Sequence, residues 1–254
     1  MPYALSVLFS VRENTMKTKI SFFLILFIGA LLLSVPGNGL AGVVVEQVVR
    51  DKDGIPSKAF LYFSDYRFRT DHPEARMTTI LDLKKDGLVM IDHQSKSYVE
   101  VKLAEWETEV AKRLKDESPG IKPRERKIVV RKTGKKAVIN GFQTEQIEVL
   151  ADGELIEENW MTRDVEMKEI EQVMDRVADR FPKDFRLEMK EGREIYEKLK
   201  PYGFSILTKD HAITYGLKAI DRVEVKKIEK KELKDDVFLP PASYQRIIPV
   251  PSKK

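Results

Sequence analysis

From Val43 onward the apolar residues of this chain recur mostly at every second position, and that period governs what the chain can fold into. A period of two puts alternate side chains on opposite faces of a strand, whereas a helix needs 3.6. Val43 to Arg50 is a β-branched run. KAFLYF (58–63) and YRFRT (66–70) flank Ser64-Asp65. MTTILDL (77–83) and LVMID (88–92) flank a turn ending in Asp86-Gly87, a hairpin signal. SYVEVK (97–102) follows the 93–96 turn. Later strands are read at 127–133, 136–139, 143–150, 154–161, 204–209 and 219–227, with Asp152-Gly153 turning between two of them. Strands adjacent in sequence and joined by short turns imply an antiparallel meander.

Three stretches depart from that period. Leu103, Trp106, Val110 and Leu114 lie on one face of a short helix. Val165, Ile170, Val173, Met174, Val177 and Phe181 form a clearer helical stripe, with Thr162 as its expected N-cap and Pro182 as its stop. Ile195 and Leu199 mark a third helix, ended by Pro201 and Gly203. The expected fold class is therefore α+β, a large antiparallel sheet with two or three helices. No linker or internal repeat divides residues 42–254, which read as a single domain.

The most apolar stretch, ISFFLILFIGALLLSV, spans residues 20–35. A membrane-spanning helix needs about 20 apolar residues, so this run is short. Met16-Lys17-Thr18-Lys19 precedes it, and Pro36 with Gly37 and Gly39 follows. Gly39 and Ala41 place small residues at the exit. Residues 16–41 thus read as a secretory signal peptide cut after Ala41, with an uncleaved anchor as the rival reading. Residues 1–15, mostly apolar, do not fit such a leader and read as an extension ahead of a start at Met16. The expected location is the periplasm. Without cysteine there is no disulfide, no lipid attached at the cut site and no thiolate chemistry.

Charge is dense but balanced. Once residues 1–41 are set aside, 42 basic and 40 acidic residues remain. Two basic clusters stand out. Lys226–Lys234 alternates with acids and reads as a solvated face. Residues 122–136 are denser; they read as an exposed strand edge kept from aggregating by lysine, with peripheral contact to anionic membrane as the alternative. Neither cluster interleaves with aromatics as nucleic-acid binding requires, so no nucleic acid is expected. His72, His93 and His211 each sit beside an aspartate in a predicted turn. HExxH, GxSxG and a glycine-rich phosphate loop are absent. The expectation is no enzyme, no catalytic residue, no metal and no cofactor.

Certain segments carry a likeness. Tyr66-Arg67-Phe68-Arg69 precedes an aliphatic strand, then GLVMID (87–92) and KSYVEV (96–101). GKKAVINGFQTEQIEVLADGELIEENWMTRDV (134–165) ends in a Trp-x-Thr-x-Asp pattern at Trp160, Thr162 and Asp164. DDVFLPPASYQRI (235–247) closes on Phe238, Pro241 and Tyr244. This order, over most of residues 43–248, resembles the uncharacterised exported domains grouped near the LolA/LolB/LppX lipoprotein carriers. Those domains often carry a cysteine where Gln143-Thr144-Glu145 stands here.

The resemblance implies a curved, incomplete antiparallel half-barrel with helices across its concave face, a hollow that in the carriers accepts acyl chains. KAFLYF and LVMID are apolar on both faces, so each is covered on both sides or walls a cavity on one. The candidate lining is Phe60, Tyr62, Phe68, Leu88, Met90, Trp160, Val173, Met174 and Val177; for each the competing reading is ordinary core. Trp160 and Phe238 are expected to be buried anchors, and residues 249–254 to fray. The expected function is to hold a lipid or lipidated protein, with an envelope interaction module as the alternative. Nothing in the sequence sets the oligomeric state.

Overall fold

The computed structural model describes residues 40–51, 53–106, 108, 125–165, 168–180, 187–211 and 220–248. The leader, the 1–15 extension, Val110, Leu114, Phe181, Pro182 and the 249–254 tail lie outside them. Twelve strands form: β1 (Leu40–Asp51), β2 (Pro56–Ser64), β3 (Arg67–His72), β4 (Met77–Asp82), β5 (Gly87–Asp92), β6 (Ser97–Lys102), β7 (Ile128–Ile139), β8 (Phe142–Ala151), β9 (Glu154–Thr162), β10 (Phe204–Asp210), β11 (Ile220–Leu233) and β12 (Gln245–Ile247). The helices are α1 (Lys168–Arg180) and α2 (Leu187–Leu199), with residues 103–106 also helical.

All twelve strands join one sheet in the order β12-β6-β5-β4-β3-β2-β1-β11-β10-β9-β8-β7. It is α+β and mostly antiparallel, two meanders stitched together where β1 pairs with β11. The turns follow local chemistry. Asp82 accepts hydrogen bonds from the backbone N–H groups of Lys84 and Lys85, each at 3.0 Å, and Asp92 does the same for Gln94 and Ser95 at 2.7 and 3.2 Å. Asp152-Gly153 has φ +52° and +90°, the left-handed pair that matches hairpin twist.

Two expectations are corrected. Residues 127–133 and 136–139 are not two strands but one, β7, with its register shifted between Lys132 and Lys136. Thr162 does not cap α1. It ends β9, paired with Phe204, and its hydroxyl accepts the Asp164 N–H at 3.1 Å, so the chain turns before the helix starts at Lys168. The second basic cluster is the far half of β11, paired with β1, and its lysines are exposed, as a solvated face requires. β12, three residues in parallel register with β6, was not foreseen at all.

The sheet is curled at its β7 end. β8, β9 and β10 separate β7 from β11, which in a flat sheet would put them about 19 Å apart. Yet Asn140, at the β7–β8 turn, donates to the Val225 carbonyl at 2.7 Å. Ile139 and Phe142 beside it pack against the main core.

Both faces are covered, as strands apolar on both sides require. On one face α1 lies over β1 and β2, and its Ile170 and Val173 pack with Val43, Val45, Phe63 and Phe68. Also on that side, α2 packs Ile195 and Leu199 against Ile128, Val149 and Ile156. On the back face Val44, Ile80, Ile91 and Leu233 surround Phe238, from a strap that runs from Asp235 into β12. Fully burying a side chain such as Val173 stabilises by about 1.5–3 kcal/mol. Among the described residues no helix is long and apolar enough to cross a membrane.

Candidate functional site

The apolar seam between α1 and the sheet is assembled strand by strand. Antiparallel partners share a face, so Val45 in β1 aligns with Leu61 in β2, and Phe63 with Phe68 in β3. The Phe63 and Phe68 ring centroids are 4.8 Å apart. Leu81, Leu88, Met90 and Val101 extend the surface to β6, where Leu103 and Trp106 join it. From above come Ile170, Val173, Met174 and Val177, the 3–4 spaced stripe of α1.

Six of the nine expected lining residues meet here: Phe68, Leu88, Met90, Val173, Met174 and Val177. The other three do not, which corrects the expected lining. Phe60 and Tyr62 point to the back face, because Leu61 and Phe63, which alternate with them, face α1. Tyr62 packs there with Val44 and Ile80. Trp160 opposes Leu207, which opposes Glu224, which opposes Val48, so its register puts it on the back face as well. It is half-buried and outside the apolar clusters, whereas Phe238 is 5% exposed.

The middle of the seam is filled: Val43, Val45, Val173 and Ile206 have no exposed surface. Its rim is looser. Met90, Trp106, Met174 and Val177 are partly buried. The indole N–H of Trp106 is buried and among the described residues has no hydrogen-bond acceptor, which is unusual for a buried donor.

A second concavity lies on the opposite side of α1, at the corner between β9 and the helix. It is an open cleft of about 450 Å³ lined by Arg163, Val165, Lys168, Glu171, Gln172, Asp175, Lys200, Pro201 and Gly203. Lys200 bonds both oxygens of Asp175, at 2.8 and 2.7 Å, and the Asp175 hydrogen bond raises its pKa.

The three histidines do not converge. His72 ends β3, and burial pushes its pKa down against the pull of Asp71 and Glu74. His93 lies on the back face, with Nε2 2.9 Å from the Thr78 hydroxyl and Nδ1 3.0 Å from the Tyr244 hydroxyl. His211 stands 3.2 Å from Glu158. Among the described residues no group of three or more His, Cys, Asp or Glu side chains is placed to hold a metal. The basic edge of β7 is partly neutralised by β8, through Arg131–Glu148 at 2.5 Å and Lys132–Glu145 at 3.0 Å.

A family model described as a domain of unknown function, DUF4412, matches residues 47–244. The chain belongs to this family. The matched span of the DUF4412 chain runs from within β1 to Tyr244, so it holds both faces of the sheet and the strap. No curated protein matches it. Among solved structures it is similar to PNGF-II, with TM-score 0.35 and 10% identity, over 82% of this chain and 31% of that one. It is also similar to a chain of the Pseudomonas aeruginosa MucA/MucB complex, with TM-score 0.40 and 9% identity, over 82% of this chain and 58% of that one. The DUF4412 chain thus spans less than two thirds of either relative's length.

Proposed function

We propose that this DUF4412 chain is an exported, non-enzymatic protein of the cell envelope that holds a hydrophobic ligand, a lipid or the acyl chain of a lipidated protein, against the α1-covered face of its sheet. Export rests on the leader pattern at residues 16–41. The resemblance of its segments to the uncharacterised exported domains grouped near the LolA/LolB/LppX carriers points the same way. The observation that carries the reading is the rim of the seam. Met90 and Met174 are adaptable side chains, and with Val177 they edge the same apolar cluster as Trp106, whose buried indole donor has no acceptor among the described residues. Apolar walls with one polar handle are the usual make-up of a ligand site. Each methylene taken from water contributes about 0.8 kcal/mol, so an acyl chain needs no reaction to be held.

Because the middle is filled, a ligand enters only as α1 lifts from β1 and β2. The same filled middle favours a second reading, an interaction module of the envelope with no lipid. Native mass spectrometry of protein purified from its host, with lipid extraction and titration of a fluorescent fatty acid, separates the two. The first reading expects co-purified acyl ligands and saturable probe binding weakened at least about tenfold by Met174→Lys, the effect of a charge on an apolar site. An empty extract and no saturable probe binding would leave the second.

A further inference from the structure

The polar cleft at the β9–α1 corner is built from parts distant in sequence. Gly203 lets the 200–203 turn lie against the end of β9: its φ is +98°, and a Cβ there would stand 2.0 Å from the Thr162 carbonyl oxygen. That close approach brings Lys200 into one cleft with Arg163 and with Lys168 of the first turn of α1. Many cations among the described residues face a carboxylate, as Arg67 faces Asp235 and Lys84 faces Asp65. Arg163 and Lys168 do not. Arg163 spends one N–H on the Pro201 carbonyl, at 3.1 Å, and among the described residues neither side chain has a carboxylate partner. Lys200 is matched to Asp175, which Tyr196 also engages at 2.8 Å. Glu171 is the remaining acid on the wall.

We propose that this cleft binds a phosphate group, with Arg163 and Lys168 as its principal donors and Lys200 as a third. A tetrahedral anion offers several acceptor oxygens to donors on different walls, and the guanidinium fork suits it better than an isolated ammonium. Glu171 opposes the anion and keeps affinity modest. The inference does not depend on the apolar seam, because Lys168, Glu171, Gln172 and Asp175 occupy the stripe of α1 opposite Ile170, Val173, Met174 and Val177. The phosphate is either free or the headgroup of a lipid.

The test titrates the full chain with inorganic phosphate at low ionic strength, followed by calorimetry or amide shifts. In parallel, the chain is co-sedimented with phosphatidylglycerol vesicles. Arg163→Gln and Lys168→Gln should each weaken binding about tenfold, as for loss of a charge-assisted hydrogen bond. Glu171→Gln should tighten it several-fold. All three sites lie in an open cleft, and circular dichroism checks the fold. A saturable, variant-sensitive phosphate response without co-sedimentation assigns the site to free phosphate. Variant-sensitive co-sedimentation assigns it to a lipid headgroup. No saturable response to either probe, or a response indifferent to all three substitutions, overturns the proposal. Fatty-acid binding is read separately and survives its failure.

Discussion

At Gly203 a left-handed backbone and a close approach to the Thr162 carbonyl coincide, so an added methyl meets both strain and a clash. Gly203→Ala should cost about 1–3 kcal/mol in a urea titration, more if the 200–203 turn cannot shift. Phe238 and Trp160 give a second contrast. Phe238→Ala should cost about 3–5 kcal/mol, because the ring is buried under the strap and carries the Arg67 guanidinium 4.5 Å from its centroid. Trp160→Ala should cost clearly less, and equal losses would contradict its half-buried place. Both aromatics looked alike as sequence. Both reach the back face; the difference is that the strap lays Phe238 into the Val44, Ile80, Ile91 and Leu233 cluster, whereas Trp160 stays half-buried outside it. The lining shows the same limit. In KAFLYF both alternating sets are apolar, so the pattern could not choose between Phe60 with Tyr62 and Leu61 with Phe63. Met174 and Val177 were legible because a polar stripe opposes them on their helix.

Among the elements, the hairpins were the most legible, because Asp82, Asp92 and Asp152-Gly153 carry their turn geometry locally. Asp92 makes one of them sensitive to pH. Burial alone would raise its pKa, but hydrogen bonds from Ser95 and from the Gln94 and Ser95 backbone, with His93 nearby, bring it below the usual carboxylate value. A depressed folded pKa means support that is complete above the unfolded value, about 3.9, and is lost as pH falls through the lower folded one. As pH falls below about 4, urea stability should therefore drop by less in Asp92→Asn than in the parent. The strap was legible only at Phe238. Its hold is tertiary: Arg69 donates to the Val237 carbonyl at 2.6 Å, Tyr244 meets His93, and Gln245 N–H bonds the Lys96 carbonyl at 3.0 Å. A chain ending at Lys234 should uncover Val44, Ile80 and Ile91, bind a hydrophobic dye that the full chain does not, and melt lower.

For the molecule as a whole, the decisive contact is β1 with β11, paired from Leu40 to Asp51, which makes one sheet of two meanders. Calorimetry should show a single unfolding transition, and two separated transitions would mean that the meanders fold apart. Gly42 lies in this stitch, where a Cβ would come within 2.5 Å of the Leu233 side chain and 2.9 Å of the Phe63 carbonyl oxygen. Gly42→Val should therefore lower the whole transition instead of splitting it. β1 also starts at Leu40, so the cut expected after Ala41 would fall inside this strand.

The sequence by itself determined the class of fold, most of the strands, their turns and the helical stripe, because those signals act over neighbours that periodicity and turn chemistry can reach. Only the tertiary structure decided which apolar face meets α1, that the strap closes the other, and that Arg163, Lys168 and Lys200 share a cleft. Those outcomes depend on register and on contacts between residues far apart in the chain, and no local pattern carries them.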